Sequence, residues 1–335
     1  MKNRIIAVEE AFITPDIVTE WDNYLSRDNV EPGFRMMGKT YLKATPSTKE
    51  VQDRLLNIGA ERIADMNSAG IDMQILSLCS PGVQIFEPTL GTMLAHHAND
   101  ILSDAIKAFP TRFAGLAAIA PQDPKAAVME LARCKRLGLK GVIINSHTMG
   151  EYLDAEKYLP ILESSESLGL PIYLHPREPS PSMITPYLDY GLYFAGWGFA
   201  AETGLHALRL IMSGIFDKLP KLKIILGHLG EGLPFWLQRI DNRYKLQVSI
   251  GAVRKMRKLP SEYFRLHFVI TTSGMYSDAA LQLCLTELGA DSILFAADYP
   301  HESAMEAVVF MDSTPISNED REKIYWKNSM RVFDI

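Results

Sequence analysis

Glu9, His175, His228 and Asp298 each stand where a short apolar run stops. The runs are Ile5–Val8, Ile172–Leu174, Leu222–Leu226 and Ile293–Phe295. Singly, a histidine after a strand reads as a satisfied structural residue, and an aspartate before Tyr-Pro as a turn former. Together, two carboxylates and two imidazoles brought to one place would be costly to bury without a cation or partners. Such a set, completed by water, suits a hard or borderline divalent cation: Mn²⁺, Mg²⁺ or Zn²⁺. In GHLGEG, residues 227–232, Glu231 follows His228 by three positions. From the first turn of a following helix it can fix the imidazole tautomer for proton transfer.

Those residues meet only if the chain folds to bring strand ends together. Eight runs read as buried strands: the four above and Met73–Leu78, Phe113–Ile119, Gly141–Ile144 and Phe268–Thr271. Helical spacing fills the intervals over Val51–Ala69, Leu94–Phe109, Pro124–Leu137, Ala155–Leu168, Leu205–Phe216 and Ala279–Leu288, with a closing helix over 317–335. Alternating buried strands and helices predict an α/β fold with a parallel sheet, and eight units predict a distorted (β/α)8 TIM barrel over residues 1–335 as a single domain. A doubly wound open sheet is the alternative. Residues 13 to about 50 form an expected insertion after strand one, and this stretch and 176–204 read as long loops over the barrel mouth.

The carboxyl ends of barrel strands carry the chemistry. Strand two there offers Ser77, Cys79 and Ser80, strand four Asn145, and strand seven Thr272 and Ser273. Alternation along strand one turns Glu10 to the face opposite Glu9 and Ala11, where an ion pair or hydrogen bonds would hold it. His96, His97 and His206 lie in helical patterns and read as surface or packing residues. His147 reads as solvated, and His267 as lying at the wrong end of the barrel. His301 faces either the pocket or solvent.

Thirty-four basic against 40 acidic residues give a net charge of −6, and no basic cluster with interleaved aromatics appears, which argues against nucleic acid and anionic membranes as partners. KMRKL at 255–259 reads as a solvated loop. Three scattered cysteines without a CxxC pair disfavour disulfides and a thiolate zinc site. No signal peptide is visible and no run reaches the ~20 apolar residues of a membrane helix, so a cytoplasmic location is expected. Phosphate loops and GxSxG are absent, which removes support for nucleotide chemistry.

EEAF at 9–12, LSLCSPGVQ, RFAGLAAIAPQDP, YLHPREP at 173–179, ILGHLGEGLPFWLQRID at 225–241, ITTSG at 270–274 and LFAADYP at 294–300 together resemble the metal-dependent decarboxylases of the amidohydrolase superfamily. The likeness runs nearly end to end and is nearest to enzymes acting on 2,3-dihydroxybenzoate and 2,6-dihydroxybenzoate (γ-resorcylate). Decarboxylases of 5-carboxyvanillate and aminocarboxymuconate semialdehyde are related.

The resemblance implies a homodimer or homotetramer, a small aromatic carboxylic acid as substrate, and one divalent metal, Mn²⁺ or Mg²⁺ before Zn²⁺, held by Glu9, His175 and Asp298. Asp298 would also deliver a proton to the ring, with His228 and Glu231 assisting. Arg239 matches an arginine that reaches a neighbouring subunit's pocket. Ala11 stands where many relatives have a further histidine, leaving a place for water or a substrate oxygen. Ser80 and His301 complete the expected substrate-binding set. The expected reaction is nonoxidative decarboxylation of an ortho-hydroxybenzoate to a phenol and CO2. A metal-dependent hydrolase or hydratase acting on a carboxylated ring or ring-cleavage product is the alternative, and a barrel that has lost its chemistry is a third reading.

Overall fold

The computed structural model describes residues 4–40, 42 and 45–335. Eight parallel strands follow one another in chain order: β1 Ile6–Phe12, β2 Met73–Leu78, β3 Phe113–Ala118, β4 Gly141–Asn145, β5 Ile172–His175, β6 Ile224–Leu226, β7 Phe268–Thr271 and β8 Ile293–Leu294. The Val8 amide donates to Phe295 O at 3.1 Å and the Ala11 amide to Tyr299 O at 2.8 Å, joining the two edges of the sheet. That closure removes the exposed edges and makes the sheet a barrel.

Every strand residue is buried except His175, which is partly open at the end of β5. An inside as apolar as this explains the near-continuous Ile/Val/Leu runs, because parallel strands are covered on both faces. β1 runs four residues past the predicted end at Val8, through Glu9 and Glu10. Its register against β2 shifts between Ala7 and Glu10, a bulge across Val8 and Glu9. Bulges re-aim side chains beside functional sites.

The stretch 13–50 is not a plain loop. Helices Pro15–Leu25, Pro32–Thr40 and Pro46–Leu56 occupy most of it, each opening on proline, which is pre-set for the first helical turn. Residues 41, 43 and 44 of that stretch lie outside the described residues. The helix expected over 51–69 is two, Pro46–Leu56 and Ala60–Ala69, divided at Asn57–Gly59. After β5, residues 176–197 are turns and short 3₁₀ segments, and a helix then runs over Gly198–Ser213. The chain ends in Asn318–Glu322, a π-turn Lys323–Lys327 and Asn328–Phe333, where one closing helix was predicted. Among the described residues, no helix is long and apolar enough to cross a membrane.

Candidate metal centre and its cavity

Glu9, His175 and Asp298 converge at the mouth of the barrel, with one potential ligand atom from each lying within 4.8 Å of the others. Glu9 Oε1 is 3.5 Å from His175 Nε2 and 3.8 Å from His228 Nε2. His228 Nε2 is 3.8 Å from Asp298 Oδ2. Strands one, five and eight and the turn after strand six therefore supply one cluster.

Each member is held by a specific neighbour. The Tyr173 hydroxyl and Thr271 Oγ1, the latter at 2.9 Å, both donate to Glu9 Oε2. The other oxygen, Glu9 Oε1, is buried and has no hydrogen-bond partner among the described residues. His175 Nδ1 donates to Pro176 O at 2.8 Å, which leaves the Nε2 lone pair facing Glu9 Oε1. An orphaned carboxylate oxygen, an imidazole nitrogen and a second carboxylate make a donor set that fits a hard or borderline dication. The Glu9 oxygen is costly to bury unless a cation or donor completes it.

Gly227 makes room for this carboxylate. A Cβ there would come within 2.8 Å of Glu9 Oε1 and 3.1 Å of Oε2. Because Tyr173 and Thr271 fix the Glu9 carboxylate from behind, Gly227→Ala is expected to cost about 1–3 kcal/mol of stability and to weaken metal binding about tenfold. Thermal unfolding and a manganese titration measure both, and wild-type values in each would show that the carboxylate has space to move.

His228 follows β6 in a left-handed turn: His228, Leu229, Gly230, Glu231 and Gly232 have φ of 51°, 54°, 79°, 53° and 75°. Left-handed backbone costs non-glycine residues roughly 1–2 kcal/mol each. Here the His228 amide donates to Ser273 Oγ at 3.0 Å and the Gly230 amide to Gly227 O at 2.7 Å. Such local strain characterises functional turns. His228 Nδ1 pairs with Glu231 Oε1 at 2.8 Å, as the spacing predicts, although Glu231 lies in this turn and precedes the helix Leu233–Ser249. Burial disfavours the His228 imidazolium, but the carboxylates of Glu231, Glu9 and Asp298 outweigh it and hold its pKa well above the usual histidine value. Burial by itself would raise Asp298, while the imidazoles of His228, His301 and His175 bring it below the usual carboxylate value.

Glu10 takes the opposite face. It is fully buried; Oε1 accepts from the Ala297 amide at 3.0 Å and Oε2 from Gln74 Nε2 at 3.0 Å. Burial pushes its pKa up to about 8 against the pull of the Ala297 amide and Arg62. Ser80 Oγ donates to Pro176 O at 2.9 Å, next to His175. His301 has Nε2 3.6 Å from Cys79 Sγ, and burial lowers its pKa while Asp298 pulls it up, so it belongs to the inner cluster. The Cys79 thiol is pushed up to about 12 by burial and Asp298, which leaves it a poor nucleophile. Ala11 is buried within β1, with its carbonyl held by Arg62 Nη2 at 2.6 Å. Arg239 is not in the cluster; it lies exposed on the helix Leu233–Ser249.

The remaining histidines divide as their surroundings dictate. His96 and His97 are exposed and pair with Glu130 and Asp16. His206 is buried in packing, and His267 is buried just before β7 with Nδ1 donating to Leu222 O. His147 is a correction: it is fully buried, with Nε2 donating to Glu178 O at 3.2 Å and Nδ1 accepting from the Gly150 amide at 3.1 Å. The PREP segment after β5 covers it, and burial lowers its pKa well below the usual value.

Beside the cluster opens a cavity of about 610 Å³, walled by Trp197, Phe199, Leu205, Leu208, Leu233 and Trp236 and floored by His228 and Asp298. Its size and apolar walls suit a small ring, with polar groups confined to one end. The aromatic run after strand five, expected over the mouth, contributes Trp197 and Phe199. Tyr173 and Thr271 escaped sequence reasoning. Tyr173 stands two residues before His175, and strand alternation would have put both on one face.

The amidohydrolase family model matches residues 25–335. The chain belongs to the amidohydrolase family. Within that family, it is 42% identical over 296 residues to γ-resorcylate decarboxylase of Polaromonas sp., covering 85% of this chain and 90% of the relative. The solved 5-carboxyvanillate decarboxylase from Sphingomonas paucimobilis superposes with a TM-score of 0.96 at 40% identity, over the full length of both chains. A dihydroxybenzoic acid decarboxylase from Polaromonas sp., solved with bound manganese and the inhibitor 2-nitroresorcinol, gives a TM-score of 0.87 at 36% identity, over 99% of this chain and 97% of that one. The (β/α)8 barrel expected from the strand pattern, and the resemblance to aromatic acid decarboxylases of the amidohydrolase superfamily, are both borne out.

Proposed function

We propose that this amidohydrolase is a carboxy-lyase that removes CO2 from an ortho-hydroxybenzoate without oxidation, using one divalent metal ion. The observation that carries the reading is the buried, unpartnered Glu9 Oε1 facing His175 and Asp298 beside an apolar cavity. Manganese in the related dihydroxybenzoate decarboxylase supports Mn²⁺ as the ion, with Mg²⁺ and Zn²⁺ compatible with the same donors.

Glu9, His175 and Asp298 would hold the ion. Bound there, the ion would act as a Lewis acid toward the substrate and lower its phenol pKa. Trp197, Phe199 and Trp236 hold the ring in the cavity and keep water from it. Asp298, ionised at rest, relays a proton from the His228 imidazolium to the ring carbon that bears the carboxylate, and the ring loses its aromaticity. The bond to the carboxylate then breaks, its electron pair returns to the ring, and CO2 departs. His228, 3.8 Å from Asp298 and fixed by Glu231, resupplies the proton. No water is consumed.

The purified protein, stripped with a chelator and then restored with Mn²⁺, tests this against a panel of 2-hydroxybenzoates followed for CO2 and phenol. Turnover that requires the restored metal supports the reading. A product that has gained water would instead identify a hydrolase or hydratase.

The same reading includes a homodimer or homotetramer. Phe235 on the helix that carries Arg239 and Ile250 just past its end are each 68% exposed, with Trp236 and Leu246 on the helix half-exposed. Trp236 lines both the cavity and the groove that contains Arg239, so a second subunit seated here lies against the cavity mouth. Arg239 would grip a substrate carboxylate across the interface, and Arg239→Ala is expected to raise KM about tenfold or more. Arg239→Lys would restore little of it, because an ammonium lacks the bidentate fork. Steady-state kinetics with sedimentation analysis decide, and an unchanged KM would remove Arg239 from the site.

A further inference from the structure

Asp298 follows the shortest strand of the barrel. β8 pairs with β7 through Ile293 and Leu294, and the chain then runs through Phe295–Ala297 to an aspartate with φ of 63°. A non-glycine residue in this region persists only where its surroundings over-determine it. On its carboxyl side, the His301 and Glu302 amides donate to Asp298 O at 2.9 and 3.0 Å, and Tyr299 O accepts from the Ala11 amide. On its amino side, the amide of Ala297 donates to Glu10 Oε1, a contact spanning 287 residues of sequence.

We propose that Glu10 is a positioning residue whose buried carboxylate fixes the backbone at Ala297 and so aims Asp298 at Glu9 and His175. The carboxylate is itself anchored. Its second oxygen accepts from Gln74 Nε2, and Gln74 Oε1 accepts from Arg62 Nη1 at 3.4 Å. Arg62 in turn donates to the carbonyl of Ala11 and stacks 4.8 Å above the Tyr299 ring. Strand one, strand two and the segment after strand eight are thus tied through one buried side chain, beside the seam where the barrel closes. The two adjacent carboxylates of strand one divide the work: Glu9 faces the ion site, and Glu10, on the other face, holds the backbone that presents Asp298.

What matters in this role is an acceptor at the right distance. Glu10→Gln keeps an oxygen for the Ala297 amide and gives up only the contact with Gln74 Nε2, which would then face an amide nitrogen. Glu10→Leu fills similar space but leaves that buried amide without a partner. Glu10→Asp withdraws the carboxylate by one methylene and cannot span Ala297 and Gln74 together. The inference rests on Glu9, His175 and Asp298 being metal ligands, so each variant is titrated with Mn²⁺ by calorimetry, alongside turnover and thermal unfolding of the metal-free protein.

Glu10→Gln is expected to bind Mn²⁺ within about threefold of wild type, and Glu10→Leu to lose about tenfold or more in affinity, with a matching fall in kcat and little change in KM. If Glu10→Leu does not fold, Glu10→Asp carries the same expectation with a smaller loss. Wild-type affinity in Glu10→Leu or Glu10→Asp, or equal losses in the Gln and Leu variants, overturns the positioning role while leaving the metal reading intact. Failure of the wild-type protein itself to bind Mn²⁺ overturns both.

Discussion

His175→Ala is expected to lose the metal and the activity together. His175 is the one nitrogen donor of the proposed triad, and its ring is already set for the task, with Nδ1 committed to Pro176 O and Nε2 facing Glu9 Oε1 at 3.5 Å. Removing even the outer partners of metal ligands costs about 10–100-fold in affinity or activity, so loss of a ligand should exceed about 100-fold in Mn²⁺ affinity. Without the imidazole, Glu9 and Asp298 are left as two carboxylates across a gap, with His228 and His301 beside them. The variant should therefore fold and fail to turn over. Metal analysis after purification and CO2 release from a 2-hydroxybenzoate measure the two losses, and wild-type metal content in this variant would remove His175 from the ligand set.

Asp298→Asn is expected to separate the two roles that His175→Ala removes at once. Asparagine keeps the shape and one oxygen donor, so the ion should stay, with affinity reduced about tenfold. The amide cannot carry the proton that the ring carbon requires. General acid catalysis contributes about 10²–10⁴-fold, and kcat should fall by that factor with a modest change in KM. His228 at 3.8 Å remains in place but has lost the group through which it works. Turnover near the wild-type rate with metal bound would mean that the proton reaches the ring by another route.

Strand ends were legible because an apolar run that stops at an ionisable residue is conspicuous. Glu9, His175, His228 and Asp298 were all found in this way, and the parallel eight-stranded order followed from alternation of strands with helices. Hydroxyls were less visible. Tyr173 and Thr271 fix Glu9, yet inside an apolar strand each looks like an ordinary packing residue. The bulge across Val8 and Glu9 leaves no mark in composition, since it adds a residue to the pairing without changing the residue types.

Helices over 13–50 had local signals that periodicity missed. Thr14-Pro15 and Thr45-Pro46 place a capping residue before a first-turn proline, and Thr45 does form a capping box with Thr48. His147 looked solvated because its burial depends on Arg177 and Glu178, some thirty residues further along. Arg177 is itself fully buried, donating to the carboxylates of Glu31 and Glu178 and to His147 O. A covering contact of that kind belongs to tertiary structure and has no local signature. Arg239 was singled out by resemblance alone, and it lies exposed on the helix Leu233–Ser249, outside the cluster.

The central claim is that one cation binds between strands one, five and eight, and anomalous diffraction from crystals soaked in Mn²⁺ tests it most directly. The expected map has a single strong peak within ~2.6 Å of an oxygen of Glu9, an oxygen of Asp298 and Nε2 of His175. A peak held by other residues, or a map with no peak among these three side chains, would contradict it.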